Sequence, residues 1–236
     1  MDVMFKRSMI TSVRTPIPPI RLHWLNFISN CEKEHKRRGD DVAVIELPLW
    51  QFKPKMVEEI NPDIVYVPHK ESHNFPIKNC EVRYFMQTVF PWRFYVDSKG
   101  FAGGSTLYPM NIDNGNEHGT WFEKLRNYAL SGRSKFDQPK SKWTSNEPYV
   151  LFPCQIPHDE TIKHHSNVTV EQALEKTCEV TKELGIKLIV KGHPINPGSM
   201  EDLKNIATKY GHTEWIDGVS IHDLLKFSKL VVVVNS

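Results

Sequence analysis

A cation and a titratable ring stand two residues apart at Lys191-Gly192-His193-Pro194. Together they can hold a phosphate: the ammonium supplies a point charge and the imidazole a directional hydrogen bond. Pro194 lacks a backbone N–H and has a fixed φ, so the chain turns there and His193 is kept extended. These residues end the run 186–190 (IKLIV), which is β-branched-rich and reads as a buried parallel strand. The carboxyl end of such a strand is where open α/β sheets bind ligands. A strand followed by an ordinary polar turn accounts for the same residues, and the segment by itself leaves both open.

Further candidates stand at other strand ends. Gln155, His158 and Asp159 follow the apolar run 149–152 (YVLF), with a polar loop around Pro157 as the plain alternative. Asn235 and Ser236 follow 230–234 (LVVVV), where a loop leading into a helix offers backbone N–H groups to phosphate. Upstream, FYVDSKGFAGGS delivers Asp97 to a strand end, and Gly100, Gly103 and Gly104 let the backbone pass close to a ligand. A carboxylate capping a turn explains Asp97 equally. Asp113, in IDNG, has the character of a turn residue. His164 and His165 are adjacent, so on an extended chain they point oppositely, and no metal site is expected from them. The glycines make no GxGxxG and there is no P-loop, which disfavours dinucleotide oxidoreductases and P-loop NTPases.

The elements that must position these groups alternate. Helix is expected over 20–38, 54–60 and 121–130, and strand over 42–47, 63–68, 82–88 and 93–96. The segment 131–148 carries Gly132, Pro139, Pro148, serines and lysines without apolar period, and reads as an interdomain linker. Beyond it the rhythm restarts: strand 149–152, amphipathic helix 169–184, strand 186–190, helices 200–210 and 221–227, strand 230–234. The expectation is an α/β chain of two Rossmann-like domains with parallel sheets: 1–130, the linker 131–148, and 149–236. A ligand cleft would lie between two such halves. A doubly wound domain needs a helix to cover its last strand, so the second domain is expected to be incomplete at Ser236.

In order, YVLFPCQIPHDE (149–160), Lys-x-His-Pro, His222-Asp223-Leu224-Leu225 and the Val-rich strand ending Asn235-Ser236 resemble the capsule polysaccharide biosynthesis family, the Kdo-transferase-like glycosyltransferases. The resemblance covers 149–236 well and the first half loosely. It implies a GT-B architecture, with an acceptor domain first and a nucleotide-sugar domain second. It also implies transfer of Kdo or a similar acidic sugar from a CMP-activated donor to a saccharide or glycolipid acceptor. His193 would bind the nucleotide phosphate, with Lys191, Pro194, Gln155, Asn235 and Ser236 as further nucleotide-binding residues. Asp97 would be the general base, although Ser98-Lys99 intervene before Gly100-Phe101 where the family carries an acidic element directly before Gly-Phe. No cofactor or metal is implied. A UDP-sugar GT-B enzyme, an epimerase-like protein, and a non-catalytic saccharide- or nucleotide-binding relative remain as alternatives.

Composition constrains the partners. A formal net charge of +2 does not suggest nucleic acid, and the cluster 33–38 (KEHKRR) is interrupted by Glu34 and His35, as on a solvated helix end. Cys31, Cys80, Cys154 and Cys178 form no CxxC pair, which suggests free thiols in a reducing compartment. The longest apolar run is too short to span a bilayer and no signal peptide is evident. The expected location is cytoplasmic, with peripheral contact at the inner face of the membrane left open. Aromatic stretches such as 90–95 (FPWRFY) are core residues or a sugar-binding surface.

Overall fold

The sequence builds two doubly wound sheets, each with its own apolar layers. The computed structural model describes residues 7–13, 18–47, 51–88, 90–107, 119–134, 138–194 and 197–234. They divide into two units, 1–123 with 134–136, and 124–133 with 137–236.

In the first unit the elements run β1 (Arg7–Val13), α1 (Pro18–Arg37), β2 (Asp41–Leu47), α2 (Pro54–Ile60), β3 (Ile64–Pro68), β4 (Glu81–Gln87) and β5 (Phe94–Asp97). The sheet order is β2-β1-β3-β4-β5. The first four strands are parallel, and β5 adds antiparallel to β4 at the edge. Strand β3 is buried along its whole length, so it needs apolar residues on both faces. Val65 and Val67 pack with Phe52, Val57, Phe75 and Tyr84 on one side. Ile64 and Tyr66 pack with Trp24, Ile28 and Phe85 on the other. Helix α2 starts at Pro54, where a missing N–H costs nothing, and stops at Asn61, whose φ of 50° is left-handed.

The second unit holds β6 (Tyr149–Pro153), a short α4 (Glu160–His165), α5 (Val170–Glu183), β7 (Lys187–Lys191), α6 (Glu201–Thr208), β8 (Thr213–Ile216), α7 (Ile221–Phe227) and β9 (Ser228–Val231). Helix α3 (Gly119–Leu130) crosses the sequence boundary between the units. The sheet is all parallel in the order β8-β7-β6-β9. Side chains alternate along its strands. Val150, Phe152, Leu188 and Val190 pack with Val170, Leu174, Cys178, Leu203 and Ala207 of α5 and α6. Tyr149, Leu151 and Ile189 pack with Ile216 and with Leu224 of α7. A capping box opens α5: Gln172 N–H donates to Thr169 Oγ1 at 3.2 Å, and Thr169 N–H to Gln172 Oε1 at 2.9 Å. An apolar groove of about 530 Å³ runs between α5 and β9, lined in part by Val180, Leu184 and Leu230.

Of the segment 131–148 expected as a linker, the described residues 138–148 fall in the second unit. Ser141 Oγ donates to Asp223 Oδ2 at 2.7 Å and accepts from Ser220 N–H at 3.0 Å, while Gln138 Oε1 accepts from Ile221 N–H at 3.1 Å. Trp143 meets Tyr149 edge-on at 5.4 Å. The segment is a strap over the start of α7. Its serines and glutamine bind other polar groups, a use that an apolar-period search cannot detect.

Candidate functional site

In the second unit the sheet order reverses around β6: β7 and β8 lie to one side and β9 to the other. The carboxyl ends of β6, β7 and β9 therefore border the crevice where such sheets take ligands. Lys191 is the last residue of β7, in register with Pro153, and its carbonyl accepts from Cys154 N–H at 2.8 Å. Its side chain is only 6% exposed and donates to Gly192 O at 3.4 Å. Burial lowers its pKa, opposed by the nearby Asp217 charge and by Cys154. Asp217 already accepts from the Trp215 indole at 2.7 Å. Gly192 permits this packing. A Cβ there would lie 2.5 Å from Asp217 Oδ1 and 2.9 Å from the Trp215 ring.

His193 follows, partly buried. Burial lowers its pKa and the Lys191 charge lowers it further, against an opposing pull from Asp159. The ring is therefore mostly neutral at pH 7. Asp159 itself caps α4, accepting from Thr161 N–H at 2.9 Å. Gln155 Oε1 accepts from Ile156 N–H at 2.8 Å, so the side chain shapes the loop after β6. His158 and Pro194 are exposed. His164 pairs with Glu160 at 3.0 Å across one helical turn. Asn235 and Ser236, and Asp113 in the other unit, lie outside the described residues.

His222, quoted above only within HDLL, also belongs at this edge: it lies in the first turn of α7, reached from the carboxyl end of β8. Burial lowers its pKa, and its Nε2 is buried without a hydrogen-bond partner among the described residues. Its presence in a helix N-terminus behind a capping Ser220 was legible; its burial was not.

In the first unit Asp97, expected as the general base, is engaged by its own turn. Its Oδ1 accepts from the N–H groups of Lys99 (2.7 Å), Gly100 (3.1 Å) and Thr106 (3.1 Å). Its Oδ2 accepts from Thr106 N–H (3.0 Å) and Thr106 Oγ1 (2.6 Å). Burial raises its pKa, but the Thr106 hydroxyl and the three backbone N–H groups outweigh that and hold it below the ordinary carboxylate value. A base needs the reverse, an accessible lone pair and a pKa raised toward the working pH. Asp97 organises the turn 97–106.

The sequence reading assigned no role to Glu71, which lies just past β3. It is fully buried, its Oε2 stands 3.0 Å from His73 Nδ1, and the loop at Gly100 and Gly104 closes over it. An acidic residue between His69, Lys70 and His73 was the available signal.

Among the described residues no helix is long and apolar enough to cross a membrane. The four cysteines are free thiols, and burial pushes Cys154 up to about 12.

The profile of the capsule polysaccharide biosynthesis protein family matches residues 107–236, just over half of the chain. Among solved structures the chain is similar to the β-Kdo 2,7 transferase of Thermosulfurimonas dismutans KpsC. The TM-score is 0.53 at 15% identity, over 98% of this chain and 73% of that one. It is also similar to the β-Kdo 2,4 transferase of the same organism's KpsC, with TM-score 0.51 and 11% identity over 96% and 74%. At these identities the likeness establishes a shared GT-B-type fold. No curated protein matches the chain.

Proposed function

The chain belongs to the capsule polysaccharide biosynthesis family, and from that premise we propose that it is a glycosyltransferase acting on a CMP-activated donor. The transferred group would be Kdo or a similar acidic sugar, and the acceptor a hydroxyl of a saccharide or glycolipid. The observation that carries this reading is the tip of β7, where a buried ammonium and a neutral imidazole stand together at the ligand-binding edge of a parallel sheet. A buried cation is costly unless paired, and its neighbour Asp217 is shared with an indole. A nucleotide phosphate would complete the pairing.

The chemistry follows from charge. As the acceptor oxygen bonds to the anomeric carbon, the bond from that carbon to the phosphate oxygen breaks and CMP leaves with the electron pair. His193 would donate a hydrogen bond to that oxygen, and Lys191 would lower the energy of the charge gathering there. Both act most strongly where charge develops, so they favour the transition state over the bound donor. Gln155, Pro194, Asn235, Ser236 and His222 are proposed to shape the rest of the nucleotide pocket. No metal is required by this scheme, and the proposed setting is the cytoplasm, with the inner membrane face as a site of contact.

One observation favours a second reading. The engagement of Asp97 by its own turn suits a relative that binds nucleotide without turnover. Calorimetry with CMP, UMP and UDP, followed by transfer from CMP-Kdo, separates these readings. CMP binding with transfer supports the enzyme, CMP binding alone supports the second reading, and tighter UDP than CMP binding counts against the cytidine donor.

A further inference from the structure

We propose that Asp217 is a specificity-determining residue of the β7 tip: held by the Trp215 indole against Gly192, its carboxylate limits the phosphate charge the site takes, and favours a donor joined through one phosphate over a donor joined through two. The inference rests on the nucleotide-binding reading above and lies wholly within the second unit.

The placement comes first. Lys191 ends β7 in register with Ile216, which ends β8. Gly192 N–H donates to Ile216 O at 3.4 Å, so the two segments leave the sheet side by side. Asp217 is the first residue beyond β8, at the edge where such sheets bind ligands.

The geometry comes second. Asp217 Oδ2 accepts from Trp215 Nε1–H at 2.7 Å. The indole itself packs on the apolar layer of α5 and α6, so the carboxylate is tied to the core. Oδ1 stands against the backbone of Gly192, where an added Cβ would lie 2.5 Å away. Lys191 Nζ donates to the carbonyl of the same glycine at 3.4 Å. One glycine thus meets both a fixed carboxylate and a buried ammonium.

Charge decides what such a site accepts. Lys191 supplies one positive charge, and the Asp217 carboxylate opposes the lowering of its pKa by burial. Asp159, the cap of α4, acts on His193 in the same sense. Cys154, also near Lys191, is kept a neutral thiol by burial and adds no charge. One ammonium and, once protonated, one imidazolium therefore face two carboxylates. The single negative charge of a phosphodiester is held there by hydrogen bonds from both cationic side chains. A diphosphate brings a further charge that no cation of this cluster is left to balance, and the exposed Asp217 carboxylate repels it. Discrimination then comes from a repulsion set against the wrong ligand as well as from an attraction to the right one.

The test is calorimetry on the full chain with CMP and CDP, which share base and ribose and differ by one phosphate. The wild type is expected to bind CMP at least as tightly as CDP. Asp217→Asn keeps an oxygen for the indole and removes the charge. It is expected to raise CDP affinity relative to CMP by about tenfold, the effect of losing one partly screened repulsion. Asp217→Glu keeps the charge, and its CDP-to-CMP ratio is expected to stay within about threefold of wild type. The side chain is exposed, so both variants are expected to fold. A purely structural role for Asp217 weakens both nucleotides alike and leaves the ratio where it was. An Asp217→Asn ratio within about twofold of wild type, a glutamate variant that shifts as far as the asparagine one, or a wild type that prefers CDP would overturn the inference and leave nucleotide binding intact. Binding of neither nucleotide by the wild type overturns the nucleotide-binding reading, and the inference with it.

Discussion

Asp97→Asn separates a turn organiser from a base, and the structure sets the size of its effect. The carboxylate accepts from three N–H groups and one hydroxyl. In asparagine the remaining oxygen, placed at Oδ1, keeps the bonds from Lys99, Gly100 and Thr106 N–H. The amide nitrogen replaces Oδ2, which accepted from Thr106 Oγ1 and shared the Thr106 N–H, and now meets that N–H donor against donor. The charge-assisted bond from the Thr106 hydroxyl is lost, worth about 1.5–3 kcal/mol. A loss near 2 kcal/mol corresponds to roughly a 30-fold faster opening of the turn, since each 1.4 kcal/mol is tenfold. Amide hydrogen exchange at Lys99, Gly100 and Thr106 should accelerate by about that factor, while transfer falls less than about tenfold. Removal of a true base costs roughly 100- to 10,000-fold. Because the folded pKa lies below the unfolded one, the ionised Asp97 stabilises the turn above the unfolded value of about 4, and this is lost as pH falls through the folded value. Abolished transfer with unchanged exchange at these three amides would refute the reasoning and restore Asp97 as the base.

Gly192→Ala should destabilise the second unit by about 1–3 kcal/mol and weaken CMP binding, because the new Cβ drives apart the Trp215–Asp217 pair; urea titration and calorimetry measure both. CMP binding near pH 7 should take up a proton at His193, since its pKa is low in the free protein and an arriving phosphate raises it. The binding enthalpy should then vary with buffer ionisation enthalpy, affinity should fall as pH rises through the bound-state pKa, and His193→Gln should remove the dependence. His35→Ala should cost about 1–3 kcal/mol in urea unfolding. It removes a buried ring held by Asp40 at 2.6 Å and Tyr66 at 3.0 Å; an unchanged midpoint would show that this network adds nothing.

The second sheet was legible because its strands are nearly pure apolar runs and its helices carry clear stops. Helix α7 falls where its pattern places it, and β6 and β7 shift by a residue at one end or both. Strand β1, which lies between β2 and β3 in the first sheet, was missed because RSMITSV mixes serine and threonine with apolar residues and resembles a loop. Strand β8 and helix α4 are too short to show a period. At the site, Lys191 and His193 could be placed at a strand tip from Gly-His-Pro alone. Whether Asp97 was free or engaged could not, because its partner Thr106 is nine residues away and joins it only through the folded turn. Glu71 escaped notice for a related reason: nothing local indicates that Gly100 and Gly104 will close over it.

The setting of His193 suits the anion holder that the proposed transfer needs. Burial first, and then the ammonium beside it, keep the His193 ring neutral until negative charge arrives. A ring charged in advance would bind any anion equally well. A ring charged by the donor phosphate becomes a strong donor only when the leaving group is present. A Lys191→Met variant tests this argument. Without the ammonium, the pKa of His193 should rise toward its ordinary value in the free protein, because one of the two influences lowering it is gone. Proton uptake on CMP binding should then shrink at pH 7. NMR titration of the His193 ring reads the change directly, and an unshifted pKa would show that Lys191 does not govern the ring.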